Sequence, residues 1–573
     1  MLKRFFRHLK GKLKKRNYED INPEDIFLDS ANLPGYDEYA LEGRLEKPVG
    51  ETTFLLVRMV IVVLIFSLAA KLLMLQGWQG SIYAEISENN RLEHTTIFAN
   101  RGIIYDRNLL ELATNAVKEN ENSFAARVYT PIEGLAHVVG YLKYPSKDSK
   151  GVYYDENYHG RDGVERIYEE RLAGQNGIKL TETDVKGSIT SESVMKQPID
   201  GRPLVLSLDV RVTEVLHKSI ASLARTSDFV GGAGIIMNVL SGEVLALTSF
   251  PEYDSNLLTS GGDNEAIGSL LESDRKPFLN RVIGGLYAPG SIVKPLIALG
   301  ALNEGIISPE KEIFSSGSIV VPNPYDPDKP SIFLDWKAHG WTAMKEAIAV
   351  SSDTYFYAVG GGYGDQKGLG IENIDKYLRL FGFEEETGIA LLGEVNGVVP
   401  TPEWKKEKFD GDIWRLGDTY ITSIGQYGTQ LTPMEAVRFV AAIANGGKIL
   451  RPTILAGKYT EEKETDSVER IIDLVPQSWE IVRAGMREAV TYGSATGLNV
   501  PYVEVAAKTG TAEIGSAKKY VHSWSIGFFP YRNPRYAFAV IMEKGPSSNG
   551  IGATSVMRQV MDWMNVYAPE YFE

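Results

Sequence analysis

The chain has 573 residues, 43% hydrophobic and 23% charged, which excludes a disordered chain, a collagen-like repeat and a polytopic membrane protein. It has no cysteine, so disulfides, thiolate metal sites, iron–sulfur clusters and thiol nucleophiles are all excluded. A net charge of −14 argues against a nucleic-acid-binding body.

The charge is unevenly placed. Residues 1–16, MLKRFFRHLKGKLKKR, hold eight Lys/Arg and no acid, and taking those eight from the total leaves −22 on the rest. Such a head reads as a cytosolic tail beside a membrane or as a solvated arm. Phe54–Leu75, FLLVRMVIVVLIFSLAAKLLML, carries only Arg58 and Lys71 as charges, both near its ends. As a helix it is ~33 Å long, about one hydrocarbon core. The apolar run starts too far into the chain for a cleaved signal peptide, so it is read as a single membrane span. The basic flank places residues 1–53 in the cytoplasm and 76–573 outside.

Residues 76–200 are polar and mixed. NRGIIYDRN (Asn100–Asn108) is a short strand pattern running into a turn, and GRDGVERIYEERLAGQNG (Gly160–Gly177) has Val164, Ile167, Tyr168 and Leu172 at helical spacing. Neither carries chemistry, so this stretch reads as a support module, with Arg101, Asp106 and Arg107 as a salt-bridge set. From residue 201 the pattern changes. Gly232–Phe250 reads as a hairpin turning at Leu240-Ser241-Gly242. Val503–Glu513, His522–Pro530 and Tyr536–Glu543 read as three more strands, and Ala553–Tyr567 as a closing helix. One large α/β domain is expected, its sheet pairing the first hairpin with the last three strands.

With no G-x-S-x-G elbow, a serine nucleophile would need another base, and a lysine one helical turn away can serve. Ser-x-x-Lys occurs five times, at Ser193, Ser273, Ser291, Ser308 and Ser516, against about two expected from composition. Only Ser291 follows a helix start, Pro289-Gly290, and precedes an apolar run. Ser351-Ser352-Asp353 and Lys508-Thr509-Gly510-Thr511 follow in order, the latter at the end of a predicted strand. The trio S-x-x-K, S-D-N and K-T-G marks penicillin-binding proteins and class A β-lactamases, and here the second element reads Ser-Ser-Asp. Asp335 and His339, four apart, are expected to be hydrogen-bonded loop residues rather than a metal pair, and His522 a structural strand-end residue.

With these motifs in place, the chain resembles a class B penicillin-binding protein of the elongation branch, from about Asn100 to Asp562. The likeness includes RGIIYDRN, GVERIYEERLAG, SGEVLALTSFPEYDSN, NRVIGGLYAPGSIVKP, DWKAHG, GDTYITSIGQYG and AAKTGTAE. It implies a serine β-lactamase/transpeptidase-like α/β domain at 201–573: a five-stranded antiparallel sheet with helices on both faces and a helical subdomain. An elongated α+β pedestal at 76–200 would precede it. The implied activity is peptidoglycan D,D-transpeptidation through a serine acyl-enzyme, blocked by β-lactams and needing no cofactor or metal. In that scheme Ser291 attacks, Lys294 takes its proton and Ser351 relays a proton to the leaving nitrogen. Lys508 keeps Lys294 neutral by its charge and, with Thr509 and Thr511, holds the terminal carboxylate. Gly510 completes that substrate-binding motif. Backbone N–H groups of Ser291 and Thr511 form the oxyanion hole. Asp353 binds a substrate amide or orients Ser351.

Implied partners are stem peptides ending in D-Ala-D-Ala, the membrane, a SEDS-family glycosyltransferase and elongation-complex proteins. Two departures stand out. Only some thirty residues separate Asn108 from His137, a reduced pedestal head, and the usual G-Q-G stretch reads Gly425-Gln426-Tyr427-Gly428. The rival readings are an anchored β-lactamase or penicillin sensor, and a non-catalytic scaffold that activates a glycosyltransferase.

Overall fold

The computed structural model describes residues 50–84, 92–116, 123–149, 151–183, 189–323, 326–459, 467–515 and 517–573. The basic head expected at 1–16 lies outside the described residues. The chain forms two compact units, Met1–Asn90 and Arg91–Glu573.

In the first unit, helix α1 (Glu51–Leu73) is apolar on every side and runs into one π-helical turn, Met74–Trp78. None of its residues is buried. A helix that is apolar all round needs an apolar medium on all sides, which a membrane supplies. It begins three residues before the predicted span, because Glu51 and two threonines complete its first turn.

The second unit begins with two small sheets. One is antiparallel, in the order Leu92–Ile97, Gly177–Thr183, Ile189–Lys196. The other places Leu204–Val205 beside Ile104–Tyr105, then Glu111–Asn115 and Arg127–Tyr129. The short stretch after Asn108 thus pairs directly onto its own second strand. The helix expected at Gly160–Gly177 is two short helices, Gly163–Ile167 and Glu169–Leu172, with a break at Tyr168. Of the expected salt-bridge set only part forms. Arg101 pairs with Glu165 at 2.5 Å, both side chains fully buried. Asp106 instead accepts backbone N–H bonds from Asn108, Leu110 and Val210, and Arg107 reaches Glu243 at 3.7 Å.

The core is continuous past residue 200, since Leu204, Leu206 and Leu208 share one cluster with Val164 and Leu172 and with the residues below the large sheet. That sheet comprises β1 (Gly231–Asn238), β2 (Val244–Phe250), β3 (Ala506–Ile514), β4 (Tyr520–Phe529) and β5 (Tyr536–Pro546). It is antiparallel, in the order β2-β1-β5-β4-β3. Side chains alternate between faces. On β5, Ala537, Ala539 and Ile541 enter one core, while Phe538, Val540 and Met542 enter the other. The second face is covered by α2 (Val210–Thr226) and by α8 (Ala553–Tyr567). The first face carries α3 (Lys294–Asn303), α5 (Asp353–Gly361) and α6 (Pro433–Asn445). Between them lie α4 (Met344–Val350) and α7 (Pro476–Thr491). This layering is the expected α/β architecture, with both sheet faces buried.

Candidate active site

Ser291 sits in a tight 3-10 turn, Gly290–Val293, that runs into α3. One turn of helix separates it from Lys294, whose side chain is wholly buried. The other described Ser-x-x-Lys pairs lack this setting. Ser193 lies in the exposed strand Ile189–Lys196, Ser273 caps the end of a helix with Lys276 in a left-handed turn, and Ser308 is in a loop. Ser516 lies outside the described residues.

Two glycines let the Ser291 turn approach the sheet. A Cβ on Gly510 would lie 2.7 Å from Pro289 O and 2.8 Å from Ile292 Cγ2. Gly290 has φ +55°, and a Cβ there would lie 2.7 Å from Thr511 O. The glycine of K-T-G is therefore a packing requirement that brings Ser291 beside β3.

Ser351 joins α4 to α5 in a left-handed conformation, φ 60° and ψ 43°. Only the chain reversal between two helices demands this, since a non-glycine residue there is strained. Ser352 caps α5 by accepting the Tyr355 N–H. Lys294 Nζ donates to Ser351 O at 2.8 Å, to Ser351 Oγ at 3.2 Å and to Asp353 Oδ1 at 2.6 Å. Lys508 Nζ reaches Ser351 Oγ at 2.8 Å and Thr509 O at 2.8 Å. Ser351 Oγ thus lies between two buried amines. Asp353 ion-pairs with Lys294, which in turn donates to Ser351 Oγ.

Burial pushes the Lys508 ammonium well below the usual lysine range; the neighbouring Lys294 pushes the same way and Asp353 opposes them. An unfolded lysine titrates near 10.4. Between the folded and unfolded values the unfolded chain binds the additional proton, so stability rises with pH across that window. Lys508→Met should fill the space without this penalty and stabilise the protein by about 1–4 kcal/mol near pH 7, with the gain shrinking toward pH 10. Urea midpoints at several pH values check this. A loss of stability at neutral pH would contradict it.

Ser291, Ser351, Asp353, Thr509 and Thr511 line one cleft of about 920 Å³. Thr509 Oγ1 donates to Ser494 Oγ at 2.8 Å. Ser494 carries no motif, and only the loop after α7 delivers it. The opposite wall comes from Ile332, Leu334 and Trp336, on and just after a short hairpin strand that shows no catalytic pattern in sequence. Asp335 is a buried organiser. It accepts from Ser352 Oγ at 2.9 Å and Thr354 N–H at 2.9 Å. Burial by itself would raise its carboxyl, but those hydrogen bonds and the Lys294 charge hold it below the usual carboxylate range. His339 Nε2 stands 3.4 Å from it. His522 packs its edge on Tyr287 and accepts the Lys544 N–H, a structural role as expected.

The altered Gly425-Gln426-Tyr427-Gly428 stretch contacts the turn that carries Ser291. Gly290 N–H donates to Gly425 O at 2.9 Å. Tyr427 takes a left-handed conformation and sets its ring edge against Trp404 and Trp414.

Residues 232–562 match the penicillin binding protein transpeptidase domain, and residues 122–206 the penicillin-binding protein dimerisation domain. The chain belongs to the penicillin-binding protein transpeptidase family. It is 31% identical over 474 residues to the peptidoglycan D,D-transpeptidase MrdA of Salmonella typhimurium, covering 77% of this chain and 73% of that one. The MrdA of Acinetobacter baumannii is 32% identical, covering 76% and 66%. Among solved structures, PBP2 of Pseudomonas aeruginosa in complex with WCK 5153 superposes with a TM-score of 0.68 at 32% identity, over 82% of this chain and 97% of that one. PBP2 of Helicobacter pylori in complex with MreC gives 0.66 at 26%, over 83% and 99%. The match to the dimerisation domain covers Arg127–Tyr129, Gly177–Thr183, Ile189–Lys196 and Leu204–Val205 of the two small sheets and the short helices between them, while Leu92–Ile97, Ile104–Tyr105 and Glu111–Asn115 lie before it.

Proposed function

We propose that this chain is a peptidoglycan D,D-transpeptidase that works through an acyl-enzyme on Ser291, in cell-wall elongation, and is inhibited by β-lactams. The observation that carries the reading is Ser351 Oγ, within hydrogen-bond reach of both Lys294 and Lys508 in the cleft that Ser291 lines. Ser291 Oγ attacks the carbonyl of the penultimate D-alanine while Lys294, acting in its neutral amine form, takes its proton. Ser351 relays a proton to the leaving nitrogen, so the C–N bond breaks as the ester is left on Ser291. The N–H groups of Ser291 and Thr511 receive the developing oxyanion, and Thr509 and Thr511 hold the terminal carboxylate beside Lys508. An amine from a neighbouring stem then takes the acyl group and frees Ser291.

A β-lactamase reading needs a carboxylate free to activate water. Of the acids lining the cleft, Asp335 is held by Ser352 and Thr354 and Asp353 by Lys294, while Glu513 pairs with Lys518 at the exposed end of β3. Intact-mass analysis with labelled penicillin tests the proposal. One stable adduct is expected, mapping to Ser291 and absent from Ser291→Ala. A label on another serine would refute it.

The matched relatives support a place in the elongation machinery. One neighbour is a PBP2 bound to MreC, and another belongs to a peptidoglycan synthase complex, with a TM-score of 0.67. We assign this chain a SEDS-family glycosyltransferase and elongation-complex proteins as partners. We divide the chain as a cytoplasmic tail at 1–53, an anchor at 54–75, a pedestal at 76–200 and a catalytic domain at 201–573, outside the cell. Protease added to intact spheroplasts is expected to digest the catalytic domain and spare the tail; a protected domain would reverse the topology.

A further inference from the structure

We infer that Tyr427 is a positioning residue for Ser291: its anchored ring holds the Gly425–Gln426 loop against the turn that carries the nucleophile. This rests on the Ser291 acyl-enzyme reading above and deepens it by naming what fixes that serine. The turn is clamped from two sides. On one side, a Cβ on Gly290 would lie 2.7 Å from Thr511 O of β3. On the other, Gly290 N–H donates to Gly425 O at 2.9 Å, and a Cβ on Gly425 would lie 2.2 Å from Gly290 O. If the loop withdraws, the buried Gly290 N–H loses its acceptor, which a backbone donor does not tolerate without cost. Whatever holds the loop therefore sets one side of the Ser291 turn.

The G-Q-G pattern has glycine where this chain has Tyr427, and the backbone there is left-handed, with φ 57°. Glycine adopts that conformation freely, tyrosine only at a conformational cost. Three contacts of the ring offset it. The ring meets Trp404 edge-on at 6.2 Å and Trp414 at 5.6 Å, and Lys405 Nζ stands 5.6 Å from its centroid. These neighbours are themselves fixed. The Lys405 side chain is 3% exposed and pairs with Asp418 at 2.6 Å and Asp412 at 3.1 Å. Trp414 Nε1 donates to Thr419 Oγ1 at 2.8 Å. A ring set among a fixed ammonium and two indoles does not swing, and Tyr427 follows Gly425 by two residues, so its restraint passes to the Gly425 carbonyl. The ring also lines the Ser291 cleft, so direct contact with a bound acyl donor is the competing reading.

The test uses the full chain in detergent and a chromogenic β-lactam taken to saturation, which separates initial binding from the acylation step. Tyr427→Gly removes the ring at a backbone position that glycine accepts. It is expected to slow the acylation step by about 10–100-fold, the effect of a misplaced reacting group, with the binding constant within about threefold of wild type. Tyr427→Phe keeps the ring and should stay within about threefold in both. Trp414 does not line the cleft, so Trp414→Ala separates anchoring from direct contact. It should slow the same step, and adding it to Tyr427→Gly should slow acylation no further. If Tyr427→Gly does not fold, the Trp414→Ala result decides alone. Four results each overturn this inference and leave the acyl-enzyme reading intact: an unchanged acylation step in Tyr427→Gly or in Trp414→Ala, a loss confined to binding, full additivity of the two changes, or a Tyr427→Phe as slow as Tyr427→Gly. No adduct with the wild type overturns both.

Discussion

Lys294→Ala is expected to slow penicillin acylation of Ser291 by about 10²–10⁴-fold, the range for loss of a positioned general base. Lys294 is the first residue of α3 and wholly buried, with Nζ fixed by Ser351 and Asp353. A purely electrostatic reading makes a competing prediction, because the same ammonium also neutralises Asp353 at 2.6 Å. Lys294→Arg separates the two. Arginine keeps the charge and can pair with Asp353, but it stays protonated and cannot accept the Ser291 proton. Both variants should therefore be slow. If Lys294→Arg keeps acylation within about tenfold of wild type, the cation alone matters and the base lies elsewhere. Stopped-flow acylation with a chromogenic β-lactam measures all three proteins.

Glu165→Ala should be the most destabilising change in the pedestal. Its carboxylate is fully buried and meets Arg101 Nε at 2.5 Å and Arg127 Nε at 2.8 Å, both guanidiniums also buried. Arg101 keeps Glu169 at 2.8 Å when Glu165 is lost, but the Arg127 charge is left without its carboxylate. Breaking a buried pair from one side costs about 3–5 kcal/mol, because the remaining charge is desolvated and unpaired. Burial by itself would raise the Glu165 carboxyl, but Arg127 and Arg101 outweigh it and hold it below the usual carboxylate range. The stabilisation is then fully present above the unfolded value near 4.3 and lost as pH falls through the folded value. Urea midpoints of wild type and Glu165→Ala should differ widely near pH 7 and converge in acid. A difference under about 1 kcal/mol at neutral pH would show that the cluster is not essential to the pedestal.

Patterns that repeat over short distances were legible. The apolar runs of Gly232–Phe250, Tyr536–Glu543 and their neighbours, bounded by turn residues, predict the five strands, and their continuity fits a sheet with a core on each face. Apolar helix α1 needed only composition. Ser291 could be separated from the other Ser-x-x-Lys serines because a helix start has a local signature, Pro289-Gly290 followed by an apolar run. Glu165 was not singled out: it and Glu169 lie on two short helices broken at Tyr168. Their arginine partners are 64 and 38 residues away, and no local pattern announces a contact over that distance.

The sequence by itself determined the motif order, the long apolar helix and the apolar strands of the sheet, since each is written in residue types over short stretches. The tertiary structure alone decided which charges meet. Asp353 pairs with Lys294, burial and the Lys294 charge push the Lys508 ammonium below the usual lysine range, and Ser494 and Ile332–Trp336 line the cleft. These depend on burial and on distances between segments up to 157 residues apart. Electrostatic energies at a few ångströms are set by such distances and by the exclusion of water, and a residue's neighbours in sequence encode neither.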